Sequence, residues 1–129
     1  MPKQRITTKS GAAPVGPYSQ GLRAGDFIFV SGQGPLDPET GQIVGDNIEE
    51  QTARVLENIK SILEAGGATM ADVVKANAYL NDMTLFDRYN KVYVTYFPDP
   101  KPARTTVGTK LPLKGILVEI EVIAYVGKE

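Results

Sequence analysis

At 129 residues the chain suffices for a single domain, 1–129, that buries about two-thirds of its unfolded surface around one core and needs no disulfides. It holds no cysteine and no histidine, which excludes disulfides, thiolate metal sites, cysteine nucleophiles and the commonest general base together. Fourteen basic residues against fifteen acidic ones leave a net charge of −1, far from the basic footprint of a nucleic-acid binder.

Acid–base chemistry therefore falls to Glu, Asp, Lys, Tyr or the backbone. The opening "MPKQRITTKSGAAP" has basic residues but no apolar centre, so it does not read as a secretory signal, and it is short for an organelle leader. No apolar run approaches the ~20 residues of a membrane span. The expected setting is cytoplasmic, with a mitochondrial one left open.

In chain order, "YSQGLR" and "DFIFVSGQ" read as a β-hairpin around Ala24-Gly25-Asp26. Strict alternation puts Phe27, Phe29 and Ser31 on one face and Ile28, Val30 and Gly32 on the other. "PLDPETGQIV" is a turn-rich excursion that holds at most a short strand. Asp46 with Glu49 resembles a capping box. Ile48, Thr52, Val55, Ile59, Ile62 and Leu63 then make a helical stripe that Gly66-Gly67 ends. "ADVVKANAYLN" alternates as a strand. Thr84 with Asp87 suggests a second capped helix, with Phe86, Tyr89, Tyr93 and Tyr96 or Phe97 facing inward, stopped by Pro98 and Pro100. Two strands close the chain. The order β-β-(β)-α-β-α-β-β predicts an α+β fold, a mixed sheet with two helices on one face.

The closing stretch "PARTTVGTKLPLKGILVEIEV" carries the chemistry. From Ile116 to Val126 one face is wholly apolar (Ile116, Val118, Ile120, Val122, Ala124, Val126) and belongs under the helices. The other mixes Leu117, Ile123 and Tyr125 with Glu119 and Glu121, the two carboxylates roughly 7 Å apart by the strand rise. Such a face suits a subunit interface or a binding cavity. If the strand holding Arg104 and Thr106 pairs antiparallel with it, Arg104 and the glutamates point the same way. From spacing alone two readings stand, a structural Arg–Glu pair at a subunit contact and a catalytic site. Other signals are weak. "SGQGP" lacks the helix a phosphate loop needs, Tyr18 after Gly-Pro suits packing, and Asn90 faces solvent unless something meets it. The aromatic series of the second helix reads as core, and no spacing suggests a metal site.

With "VGPYSQG" at 15–21, "FVSGQGPLDPETG" at 29–41, "PART" and "VEIEVIA" at 118–124, the chain resembles the RidA family (also YjgF or L-PSP), the reactive-intermediate deaminases, along essentially its whole length. The resemblance implies a chorismate-mutase-like homotrimer with three clefts between subunits. It implies hydrolysis of 2-imino acids, such as 2-iminobutanoate and 2-iminopropanoate, to 2-keto acids and ammonia, without metal or organic cofactor. The imines descend from enamines released by pyridoxal-phosphate enzymes. By the same resemblance Arg104 grips the substrate carboxylate and Glu119 positions the attacking water. Tyr18, Ser31 and Gly32 line the pocket, and Asn90 and Thr106 lie near the substrate. Glu121 is taken as support for the interface. Thr106 and Leu117 stand where many relatives carry cysteine or serine, and lysine or arginine, and the "LP" at 111–112 is shifted by one residue. Two rivals remain: a ribonuclease that inhibits translation, and a non-catalytic carboxylate-binding or chaperone-like trimer. Neither a membrane nor nucleic acid is an expected partner.

Overall fold

The hairpin forms where Gly25 supplies a left-handed φ of 60° that a residue with a side chain resists. In the computed structural model, which describes residues 2–127, it joins β2 (Gly21–Ala24) to β3 (Phe27–Gln33). A strand not anticipated from the sequence, β1 (Gln4–Ile6), lies against β2. The segment "PLDPETGQIV" adds no strand to the sheet and makes only an isolated bridge between Leu36 and Ile43. The remaining elements are α1 (Ile48–Ala65), β4 (Val73–Leu80), α2 (Phe86–Tyr93), β5 (Ala103–Gly108) and β6 (Val118–Tyr125).

Among the described residues six strands form one sheet in the order β1-β2-β3-β6-β4-β5. β4 and β5 pair parallel and the other described pairs antiparallel, so the sheet is mixed and α2 is the crossover between β4 and β5. The order corrects one expectation. Arg104 does not lie on a strand beside β6, because β4 is inserted between β5 and β6.

The apolar face of β6 is buried as its alternation predicts, with Val118, Ile120, Val122 and Ala124 at most 2 % exposed. Against it pack Val55, Ile59, Ile62 and Leu63 of α1, each fully buried. Removing one such side chain, as in Ile120→Ala, typically costs about 2–5 kcal/mol, so this layer fixes the sheet. The helix starts differ from the expected ones by local hydrogen bonding. At α1 the cap is one residue later than Asp46: Asn47 Oδ1 accepts from Glu50 N at 2.9 Å, and Glu50 Oε1 accepts from Asp46 N at 3.2 Å. Ahead of α2, Asp82 rather than Thr84 caps a 3-10 turn, accepting from Thr84 N at 2.9 Å.

Among the described residues no helix covers the opposite face of the sheet. Phe27, Phe29 and Tyr125 lie there, each exposed by about two-fifths (42 %, 42 % and 43 %), with Glu119 and Glu121 beside them.

Candidate active site

The register across the sheet decides where the site groups point. Residues level with one another on adjacent strands share a face. Arg104 is level with Ala76, which is level with Val122, and both of those are buried beneath the helices. Arg104 therefore projects on the helix-covered side, at the edge strand, where α2 meets it. Glu119 is level with Tyr79, which is level with Val107, and these belong to the open face. Within one chain Arg104 and Glu119 lie on opposite faces of the sheet, which corrects the expectation that they point the same way. Among the described residues no carboxylate forms an ion pair with Arg104, so an Arg104–Glu119 structural pair does not exist inside the chain.

Three aromatic rings of α2 hold the Arg104 guanidinium. Its central carbon lies 4.7 Å from the Tyr93 ring, 5.4 Å from Tyr89 and 5.6 Å from Phe86. At such distances the negative ring faces attract a cation. Nη1 donates to Asn90 Oδ1 at 2.8 Å and reaches Tyr89 OH at 3.5 Å. Thr106 Oγ1 lies 3.3 Å from the same Tyr89 hydroxyl. Burial pushes the Tyr89 phenol up and the Tyr93 phenol to about 12, which keeps both rings neutral beside the cation.

On the other face Glu119 lines a cavity of about 500 Å³ with Tyr18, Ser31, Gly32 and the apolar Leu36 and Ile116. A bulge in β3 shapes its wall. Val30 is level with Val122 but Gln33 with Ile120, so an extra residue is accommodated at Ser31-Gly32. Strict alternation would place Gly32 with the buried Ile28 and Val30. The bulge turns it instead toward Glu119, so closely that a Cβ there would stand 2.7 Å from Glu119 Oε1. Ser31 Oγ donates to Ser19 O at 2.6 Å, and Val15 N donates to the Tyr18 hydroxyl at 3.0 Å, which leaves the phenolic proton free to donate into the cavity.

Burial, and secondarily the charge of Glu121, raise the Glu119 carboxyl above its ordinary 4.5. Glu121 itself accepts a 2.5 Å hydrogen bond from Tyr79, which pushes that phenol up to about 12. The sequence-predicted residues thus form two groups: Tyr18, Ser31, Gly32 and Glu119 about the cavity, and Arg104, Asn90 and Thr106 where β5 meets α2. Sequence reasoning missed Tyr79; it assigned Phe86, Tyr89 and Tyr93 to the core, where Tyr89 and Tyr93 are buried and Phe86 packs against them, but it did not anticipate their contact with Arg104. Their placement one and two turns apart on the helix face that carries Asn90 is the signal that links them to Arg104. Among the described residues no three acidic, His or Cys side chains converge as metal ligands would.

The family described as Endoribonuclease L-PSP matches residues 8–126. A chloroplastic protein of Arabidopsis thaliana named Reactive Intermediate Deaminase A is 43% identical over 123 residues, 95% of this chain and 65% of that one. This chain belongs to the RidA family. Another relative, a RutC family protein of Pyrococcus abyssi, is 52% identical over 125 residues, 97% of this chain and 98% of its own. Among solved structures the E. coli protein TdcF with bound serine superposes with a TM-score of 0.88 at 32% identity, covering 95% of this chain and 98% of that one. The two-helix, mixed-sheet fold is that of the RidA family. Among the described residues no helix is long and apolar enough to cross a membrane.

Proposed function

We propose that this RidA-family chain hydrolyses small 2-imino acids to 2-keto acids and ammonia, in clefts where Arg104 of one copy faces Glu119 of the next within a trimer. The Arg104 guanidinium carries this reading. Its plane is held by three rings, and Nε and Nη2 meet no protein acceptor among the described residues. A planar fork so placed matches a carboxylate through two parallel hydrogen bonds. The serine bound to TdcF offers a small α-carboxylate of that kind. The uncovered Phe27, Phe29 and Tyr125 support assembly, since large apolar groups on an open sheet face mark a contact surface.

The chemistry follows from the second group. Water adds to the carbon of the C=N bond while Glu119 takes its proton. That proton passes to the nitrogen to give a carbinolamine, and the hydroxyl then yields its proton by way of Glu119 to the same nitrogen as the C–N bond breaks, which leaves the keto group and releases ammonia. Atoms balance as imine plus water giving keto acid plus ammonia. The raised Glu119 carboxyl suits a group that must both take and return a proton.

The test is the rate of 2-ketobutyrate formation from the imine generated in place by threonine dehydratase. Acceleration by the protein and its loss in Arg104→Ala, by about 10²–10⁴-fold for two charged hydrogen bonds, is the expected result. Mixed trimers of Arg104→Ala and Glu119→Gln each regain one intact cleft, so random mixing restores about a quarter of the wild-type rate. Normal turnover by Arg104→Ala would overturn the proposal, and absence of recovery on mixing would overturn the shared cleft. A ribonuclease activity is favoured by one observation, the description of the matching family. RNA cleavage that follows the purified protein and survives Arg104→Ala would establish it as separate from this site.

A further inference from the structure

We infer that Asn90 is a positioning residue that sets which edge of Arg104 receives the substrate carboxylate, an inference that rests on the reading of Arg104 as the carboxylate anchor. A guanidinium offers five N–H donors, and a carboxylate needs two parallel ones. These lie either on the end edge, Nη1 with Nη2, or on the side edge, Nε with Nη2. Asn90 Oδ1 takes Nη1 at 2.8 Å. The end edge is then partly committed. The side edge keeps both donors without a protein acceptor among the described residues.

Arginine has no acceptor atom, so the amide must turn its oxygen and not its nitrogen toward Arg104. The two constraints on the cation come from one stripe of α2. Phe86, Tyr89, Asn90 and Tyr93 stand at i, i+3, i+4 and i+7, the spacing of one helix face. The rings fix the guanidinium plane, and the amide fixes its rotation within that plane. Tyr89 adds stiffness through its hydroxyl, 3.3 Å from Thr106 Oγ1 on the next residue but one from Arg104.

A neutral acceptor is the required chemistry at this place. A carboxylate at position 90 would hold the same proton, yet it would cancel the charge that the substrate carboxylate must find. It would also occupy the cation as an internal competitor. The Asn90 side chain has no other hydrogen-bond partner among the described residues. Its backbone carbonyl accepts the cap bond from Val94 N, which a change of side chain leaves in place. A role confined to helix stability therefore has no side-chain contact to rest on.

The experiment compares wild type, Asn90→Ala, Asn90→Asp and Arg104→Ala. It reads kcat and KM for hydrolysis of the threonine-derived imine, the calorimetric Kd of 2-ketobutyrate and the melting temperature. Asn90→Ala is expected to raise KM and Kd together by about tenfold, the lower end for one hydrogen bond to a charged group, with kcat and melting temperature little changed. Asn90→Asp is expected to bind the keto acid more weakly than Asn90→Ala although it keeps an acceptor oxygen. A purely structural role predicts the reverse ranking. Unchanged KM and Kd in Asn90→Ala, or wild-type binding by Asn90→Asp, would overturn the inference while leaving the Arg104 anchor standing. A wild type that neither binds 2-ketobutyrate nor accelerates hydrolysis would sink the anchor and this inference with it.

Discussion

Beneath the helices, Arg104 is surrounded in advance: three rings lie within 5.6 Å and an amide oxygen lies at 2.8 Å. On the open face Glu119 is treated in the contrary way. It is half-buried in a cavity wall, no side chain donates to it among the described residues, and burial and Glu121 both disfavour its charge. The contrast fits two uses of charge. A cation that holds a ligand benefits from being oriented before the ligand arrives, because less is lost on binding. A carboxylate that exchanges protons benefits from being left short of partners, since that brings its pKa nearer to the working pH.

The largest expected effect that separates the two faces is Glu119→Gln. It should lower kcat by about 10²–10⁴-fold, the usual worth of acid–base help, while 2-ketobutyrate still binds through Arg104. Loss of keto-acid binding as great as the loss of rate would erase the distinction between holding and reacting. Gly32→Ala comes next. Its Cβ would meet Glu119 Oε1 at 2.7 Å, and that oxygen is the movable end of a side chain. The fold should persist with an unchanged melting temperature, while displacement of the carboxylate by a fraction of an ångström to an ångström costs up to about 10²-fold in kcat/KM. Wild-type activity in Gly32→Ala would show that the close approach has no catalytic consequence.

The smallest effect is in pH dependence. Turnover needs the Glu119 carboxylate, so kcat/KM should fall as pH drops through its raised pKa, above the ordinary 4.5. Removing the neighbouring charge in Glu121→Gln lowers that pKa, and the acid limb should move to lower pH. A limb that stays in place would show that burial alone sets the carboxyl, with Glu121 and its Tyr79 partner confined to the sheet face. The pH–rate profiles of the two proteins, measured side by side, decide it.

Much of this is legible in the sequence. Alternation along 116–126 separates the covered face from the open one, because side chains in a strand change sides at each residue. The stripe of α1 and the inward aromatics of α2 follow from helical spacing in the same way. Capping was legible only to within a residue, since Asp46 and Asn47 are both good caps and the choice depends on which backbone turns into the helix. The bulge at Ser31-Gly32 was not legible, because it depends on how β3 meets β6 and not on β3 itself.

The sequence by itself determined the kinds of groups available. One chain without Cys or His must work with carboxylates, phenols and cations, and it places Arg104 and Glu119 on strands near its end. Only the tertiary structure decided how these groups relate. By inserting β4 between β5 and β6 and setting their register, it put Arg104 under α2 and Glu119 on the open face. Strand order and register are settled by contacts between segments far apart in the chain, and a one-residue change of register moves every side chain to the other face. Local patterning holds no record of that choice.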